Sequence, residues 1–161
     1  MGYFRDMENL IIRDAVAADL DVLLKFEQEI IKAERPFDPS IKKGRVNYYN
    51  LEAYIATNEV KVLVAQVQDQ IVASGYALLK KARHYLDHED YSYLGFMYCK
   101  PEFRGKGIIQ KLIEELKIWS LGQGLTEVRL TVYQDNLSAI KAYKKSGFKS
   151  HINEMRIRLN D

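Results

Sequence analysis

A chain of 161 residues, 47% hydrophobic and 29% charged, is long enough to bury a core of its own, is read as one domain over residues 1–161, and excludes wholesale disorder. Its formal net charge of +2 speaks against a surface built to grip polyanions, so nucleic acid is not an expected partner, although a local anion site stays open. A single cysteine, Cys99, excludes an internal disulfide framework and suits a reducing compartment.

The opening MGYFRDMENL lacks the apolar core and small-residue cleavage site of a signal peptide, and Asp6 stands where a myristoylation signal carries Ser or Thr. With no apolar run long enough for a membrane span, a cytoplasmic chain without a membrane partner is expected. Residues 10–13 read as a short strand. Residues 18–32 place Leu20, Leu23, Leu24, Phe26, Ile30 and Ile31 at near-helical spacing, with Asp19 available to the first turn. ERPFDPSIKKG (34–44) holds two of the three prolines and reads as a loop, followed by a second helix over 51–58. Residues 61–82 form two β-branched runs around a polar turn near 68–70, the pattern of a hairpin. YSYLGFMYCK (91–100) is a further strand, stopped by Pro101. Residues 107–121 form a strong helix with Ile108, Ile109, Leu112, Ile113, Leu116 and Trp119 on one broad face, and Gly122 and Gly124 offer its stop. EVRLTVY (127–133) reads as a strand, 136–146 as a helix capped by Asn136, and FKSHINEMRIRL (148–159) as a last alternating strand. The resulting order, β-α-α-β-β-β-α-β-α-β, predicts an α/β fold with a mixed sheet covered by helices on both faces.

FRGKGIIQKL (103–112) sets two glycines, an arginine and a lysine between a strand and a strong helix. The first N–H groups of a helix have no intrahelical acceptor, and the helix dipole makes that end slightly positive, so phosphate or pyrophosphate is the usual guest. A turn that only connects strand to helix is the alternative. A P-loop is excluded because no Gly-x4-Gly-Lys-Ser/Thr occurs, and the dinucleotide pattern fails because Gln110 occupies its third glycine position.

One strand later comes NLSAIKAYKKSGF (136–148). Together the two segments resemble the GNAT superfamily of acetyl-coenzyme A-dependent N-acetyltransferases. The family's loop, Arg/Gln-x-x-Gly-x-Gly/Ala, is matched by Arg104, Gly107 and, imperfectly, Ile109; its later motif is matched by Asn136, Ala139, Tyr143, Gly147 and Phe148. The resemblance is best over 94–148. It implies a single-domain GNAT-like fold with a mostly antiparallel central sheet, acetyl-CoA as cosubstrate, and acetyl transfer to a primary amine of a small molecule or peptide by direct attack in a ternary complex. It further implies that backbone N–H groups of Arg104, Gly105, Lys106, Gly107, Ile108 and Ile109 cradle the pyrophosphate. Backbone at Met97, Tyr98 and Cys99 would hold the pantetheine arm and thioester, Asn136 would hydrogen-bond the pantetheine, and Tyr143 would protonate the leaving thiolate. A homodimer is common in such proteins. Gly95 stands where many relatives carry a glutamate base, so the resemblance supplies no base, and a coenzyme A-binding or sensing domain without turnover is the alternative reading; a nucleotide-binding protein of another kind is a further one.

An attacking amine must lose a proton, since a lysine-like amine has a pKa of about 10.4 in water. Glu34 and Asp38, in the proline-bearing loop, are the candidates for drawing a cationic amine and serving as base or relay through water. Tyr48, Tyr49 and Tyr93 offer flat apolar walls with polar tips and are the candidate lining of the acceptor pocket. Cys99 reads as a core residue. His84 and His88, four apart but between strands and without a third ligand of clear spacing, do not read as a metal site, and none is expected.

Overall fold

The structure, a computed structural model, describes residues 9–160; the reading of the N-terminal stretch therefore falls almost wholly outside the described residues. Strand β1 (Leu10–Asp14) leads through a 3-10 turn (Ala17–Asp19) into helix α1 (Leu20–Glu34). Asp19 sets that junction. Its carboxylate accepts the Val16 N–H at 2.8 Å and both Arg13 guanidinium arms at 2.8 and 3.0 Å, and the Arg13 hydrogen bond is the main reason its pKa lies below the ordinary range. A second 3-10 turn (Arg35–Phe37) ends α1, and an irregular segment over 38–50 leads to the short helix α2 (Leu51–Ala56), capped by the Asn50 side chain.

Strands β2 (Val60–Val67), β3 (Gln70–Lys81) and β4 (Asp90–Cys99) follow as antiparallel neighbours, and the β2–β3 turn runs through Gln68 at φ 54°. Helix α3 (Ile108–Gly122) then crosses over to β5 (Val128–Arg129), which pairs parallel to β4, and helix α4 (Leu137–Lys145) comes last. The sheet order is β1-β2-β3-β4-β5. Both faces of β2 are covered: Leu63, Ala65 and Val67 meet Ile108, Leu112, Ile113 and Leu116 of α3, while Val62 and Val64 meet Leu23 and Phe26 of α1 and Leu51 of α2. That is why VLVA (62–65) reads as a continuous apolar run instead of an alternation. Each of the buried Val, Leu, Ile and Phe side chains among these contributes about 1.5–3 kcal/mol.

Two expected strands differ. The strand expected over 127–133 is reduced to Val128–Arg129, and 148–159 forms no strand. The alternating Met155, Ile157 and Leu159 are 92%, 83% and 90% exposed. Alternation marks a chain able to pair, but a strand also needs an edge to pair with, and β5 as formed is too short to offer one.

Candidate active site

Strand β4 is deformed where the resemblance places the acyl group. The β3–β4 register slips between Ser74–Tyr98 and Tyr76–Gly95, so Phe96 and Met97 together face Gly75. Phe96 takes φ 57°, a conformation rare outside glycine, and its carbonyl accepts the buried Ser74 hydroxyl at 3.0 Å. On the other side, among the described residues, β4 pairs with β5 at Ser92–Val128 and Tyr93–Arg129 and no further. The β4 backbone from Leu94 to Cys99 is therefore left without a strand neighbour on that side. Tyr93 marks the point of divergence, with the Lys80 ammonium 3.8 Å from its ring centre. Met97 and Tyr98 are half-buried, and Tyr98 packs on Phe26 at 4.6 Å between ring centres. Cys99 is buried, and burial pushes its thiol pKa up, as befits a core residue.

The loop beyond β4 is shaped by its glycines. Gly105 and Gly107 take φ 77° and 78°, and Gly107 is the N-cap of α3. A Cβ on Gly105 would meet nothing within 4 Å, and one on Gly107 only the Gln110 side-chain oxygen at 4.0 Å. The backbone there faces open space, with the unpaired N–H groups of the first turn of α3 behind it. Arg104 ties the loop to β4 by donating its Nε–H to the Cys99 carbonyl at 2.9 Å, and Lys106 lies over the Phe103 ring. Ile108 is fully buried, and Ile109 is half-buried against the same core. Asn136 caps α4 through its Oδ1, 3.4 Å from the Ala139 N–H. Half-buried Tyr143 rests edge-on against Phe148, its pKa pushed up to about 12 by burial first and then by the charges of Glu34 and Tyr93.

Glu34 ends α1 at the opposite wall. Burial raises its carboxyl pKa above the ordinary range; Tyr48, as a hydrogen-bond donor, partly offsets this, and Asp38 adds to it. Asp38 is a different kind of carboxylate. It accepts the Ser40 hydroxyl, the Ser40 N–H at 2.9 Å, the Tyr133 hydroxyl at 2.9 Å and the Arg156 guanidinium at 3.0 Å, and these bonds, Ser40 foremost, hold its pKa far below the ordinary range. Tyr48 and Tyr49 lie in the same neighbourhood, with Tyr49 edge-on to Tyr76 at 5.4 Å and to Phe96 at 5.3 Å. After burial, the charges of Glu34, Tyr133 and Asp38 all help to raise the Tyr48 pKa.

Four residues outside the expected set belong to this wall: Glu27, Tyr76, Tyr133 and Arg156. Tyr76 accounts for Gly95. A Cβ on Gly95 would stand 2.5 Å from the Tyr76 hydroxyl and ring, and that ring is buried between Tyr49 and Tyr54. Tyr133 stacks on Phe37 at 6.0 Å and bonds Asp38. A sequence signal for Glu27 exists, since it breaks the apolar row Leu23–Glu27–Ile31 at helical spacing. For Tyr133 and Arg156, which reach Asp38 from far along the chain, there is none. Of the histidines, His88 is engaged by Asp87 and Arg129, and His84 packs on Tyr85.

The chain is similar to known proteins in sequence and in fold. The thialysine N-epsilon-acetyltransferases of Sus scrofa and Bos taurus are each 26% identical over 148 residues, covering 88% of this chain and 85% of theirs. Among solved structures, a Bacillus halodurans protein superposes with a TM-score of 0.81 at 19% identity, covering 92% of this chain and 99% of its own. A predicted acetyltransferase of Clostridium acetobutylicum, solved with acetyl-CoA, does so at 0.71 and 18%, covering 93% and 96%. The aminoglycoside antibiotic 6′-N-acetyltransferase of Acinetobacter haemolyticus matches at 0.71 and 16%, covering 94% and 99%. The model of the acetyltransferase (GNAT) family matches residues 27–148, and the chain, an acyltransferase by that match, belongs to this family.

Proposed function

We propose that the chain transfers the acetyl group of acetyl-CoA to a primary amine by direct attack in a ternary complex. The observation that carries this reading is the edge of β4 left unpaired beyond Tyr93, leading into a loop whose Gly105 and Gly107 take positive φ at the N-terminus of α3. The residues present fit the cosubstrate. The open backbone at Gly105 and Gly107 and the first turn of α3 at Ile108 and Ile109 suit a pyrophosphate, whereas the Arg104 N–H is already donated to the Pro101 carbonyl at 3.3 Å; the edge of β4 at Met97, Tyr98 and Cys99 suits the amides of a pantetheine arm, and Asn136 keeps its amide N–H groups for the same arm. When bound, acetyl-CoA supplies an activated acyl group whose leaving atom is a thiolate. Glu34 takes the proton that the amine must lose as nitrogen bonds to the acyl carbon. Tyr143 gives a hydrogen bond, and then a proton, to the sulfur as the carbon–sulfur bond breaks. Burial of Glu34 favours this, because a raised pKa makes a carboxylate a stronger base. Asp38 is held by its four partners as part of the wall and does not serve as the base.

The acceptor we infer is a cationic aliphatic amine, drawn by the Glu34 carboxylate and lined by Tyr48, Tyr49 and Tyr93. The lysine-like substrate in the name of the mammalian relatives points the same way. A panel of amines mixed with acetyl-CoA, read by release of free thiol, tests this. Linear diamines and ε-amines of lysine analogues are expected to turn over, and neutral amino sugars to lag. Tight acetyl-CoA binding without thiol release on any amine would instead support the binding-domain reading, which Gly95 motivates.

A further inference from the structure

Glu27 is fully buried in the middle of α1. One carboxylate oxygen accepts two consecutive backbone N–H groups, from Tyr48 at 2.9 Å and Tyr49 at 2.8 Å. The other, Oε1, is buried without a hydrogen-bond partner among the described residues. A carboxylate in such a place is costly, and an aliphatic side chain would pack there at lower cost. What it gives in return is geometry. Residues 38–50 carry no helix or strand, and a stretch of that length keeps one conformation only if it is anchored. Gln28, the next residue of α1, adds a second tie by donating to the Val46 carbonyl at 2.9 Å.

The two anchored peptide groups lead to the two halves of the candidate site. The Tyr48 ring stands edge-on to Tyr49 at 5.7 Å, and its phenol feels the charge of Glu34. The Tyr49 ring packs against Tyr76 and Phe96, the residue that carries the bulge of β4. Glu27 and Glu34 are seven residues apart on one helix, hence on one face, so the anchor and the base share a rigid support. We propose that Glu27 is the positioning residue of the acceptor pocket: its buried carboxylate fixes the Tyr48–Tyr49 backbone, which holds Tyr48 on Glu34 and Tyr49 on the bulge of β4. This rests on Glu34 acting as the base.

Steady-state kinetics of Glu27→Gln, Tyr48→Phe and the double variant test it, together with acetyl-CoA affinity by calorimetry. Glu27→Gln keeps the shape and removes the charge. It should lower kcat/KM for the amine about tenfold, with a raised amine KM and unchanged acetyl-CoA affinity. The double variant should be hardly worse than the more impaired single one, because both changes act through one contact. Fully additive losses, or wild-type amine kinetics in Glu27→Gln with only a lower melting temperature, would overturn the proposal. Should the variant not fold, native-state amide exchange of the wild type decides: protected Tyr48 and Tyr49 N–H groups support the anchor, and free exchange refutes it. Failure of the base reading shows elsewhere, as undiminished turnover in Glu34→Gln.

Discussion

With the Tyr76 hydroxyl 2.5 Å from where a Cβ on Gly95 would stand, a carboxylate at that point of β4 would require a buried, ring-packed tyrosine to move. Glu34 is the acidic side chain left with a raised pKa at the pocket, since Asp38 has spent its lone pairs on Ser40, Tyr133 and Arg156. In the proposed mechanism Tyr143 is the complementary acid, and a weak one. Its pKa of about 12 lies above the value of about 8.5 expected of an alkyl thiol, so handing over the proton is uphill and its help falls at the low end of general-acid effects. Tyr143→Phe should therefore lower kcat about 10- to 100-fold, with the amine KM little changed and the fold retained. Wild-type turnover in that variant, measured with chemistry rate-limiting, would leave Tyr143 as a packing residue beside Phe148.

Among the elements, α3 with its preceding loop was the most legible in the sequence, and for physical reasons. A helix that buries Ile108, Leu112, Ile113 and Leu116 must show them at helical spacing, and two residues at positive φ are most readily glycines. Gly107→Val places a β-branched residue at φ 78°, at a cost of about 1–2 kcal/mol. It should cut acetyl-CoA affinity at least about tenfold while circular dichroism stays native-like and the melting temperature drops by only about 2–8 °C. Unchanged affinity would make the loop a mere connector. The α1 wall was legible in part. Glu34 and Asp38 were visible as carboxylates in a proline-bearing loop, and Ser40, two residues after Asp38, is a local partner that supplies two of its four hydrogen bonds. The other two come from Tyr133 and Arg156, about a hundred residues away along the chain, and no local pattern announces them.

For the whole molecule, the element order and the two-faced sheet follow from hydrophobic patterning, while the outcome at 148–159 does not. Met155, Ile157 and Leu159 alternate as a strand would, yet pairing depends on a partner edge that no local pattern encodes. The sheet brings the two halves of the candidate site together at the end of β4, with α3 and its loop on one face and α1 on the other. In the proposed mechanism the amine's proton leaves through α1, at Glu34. Because burial raises that carboxyl's pKa, the basic form is lost on acidification through a value above the ordinary glutamate figure of about 4.3. The amine's own ionisation, near about 10.4, lies well above that window and is common to every variant. The most direct measurement is the pH profile of kcat/KM for the best amine, in the wild type and in Glu34→Gln. The wild-type profile should fall on acidification with an apparent pKa above about 4.3, and the Gln variant should be at least about 10²-fold slower and lack this limb. A Gln variant with the wild-type rate and the same acid limb would contradict the proposed mechanism.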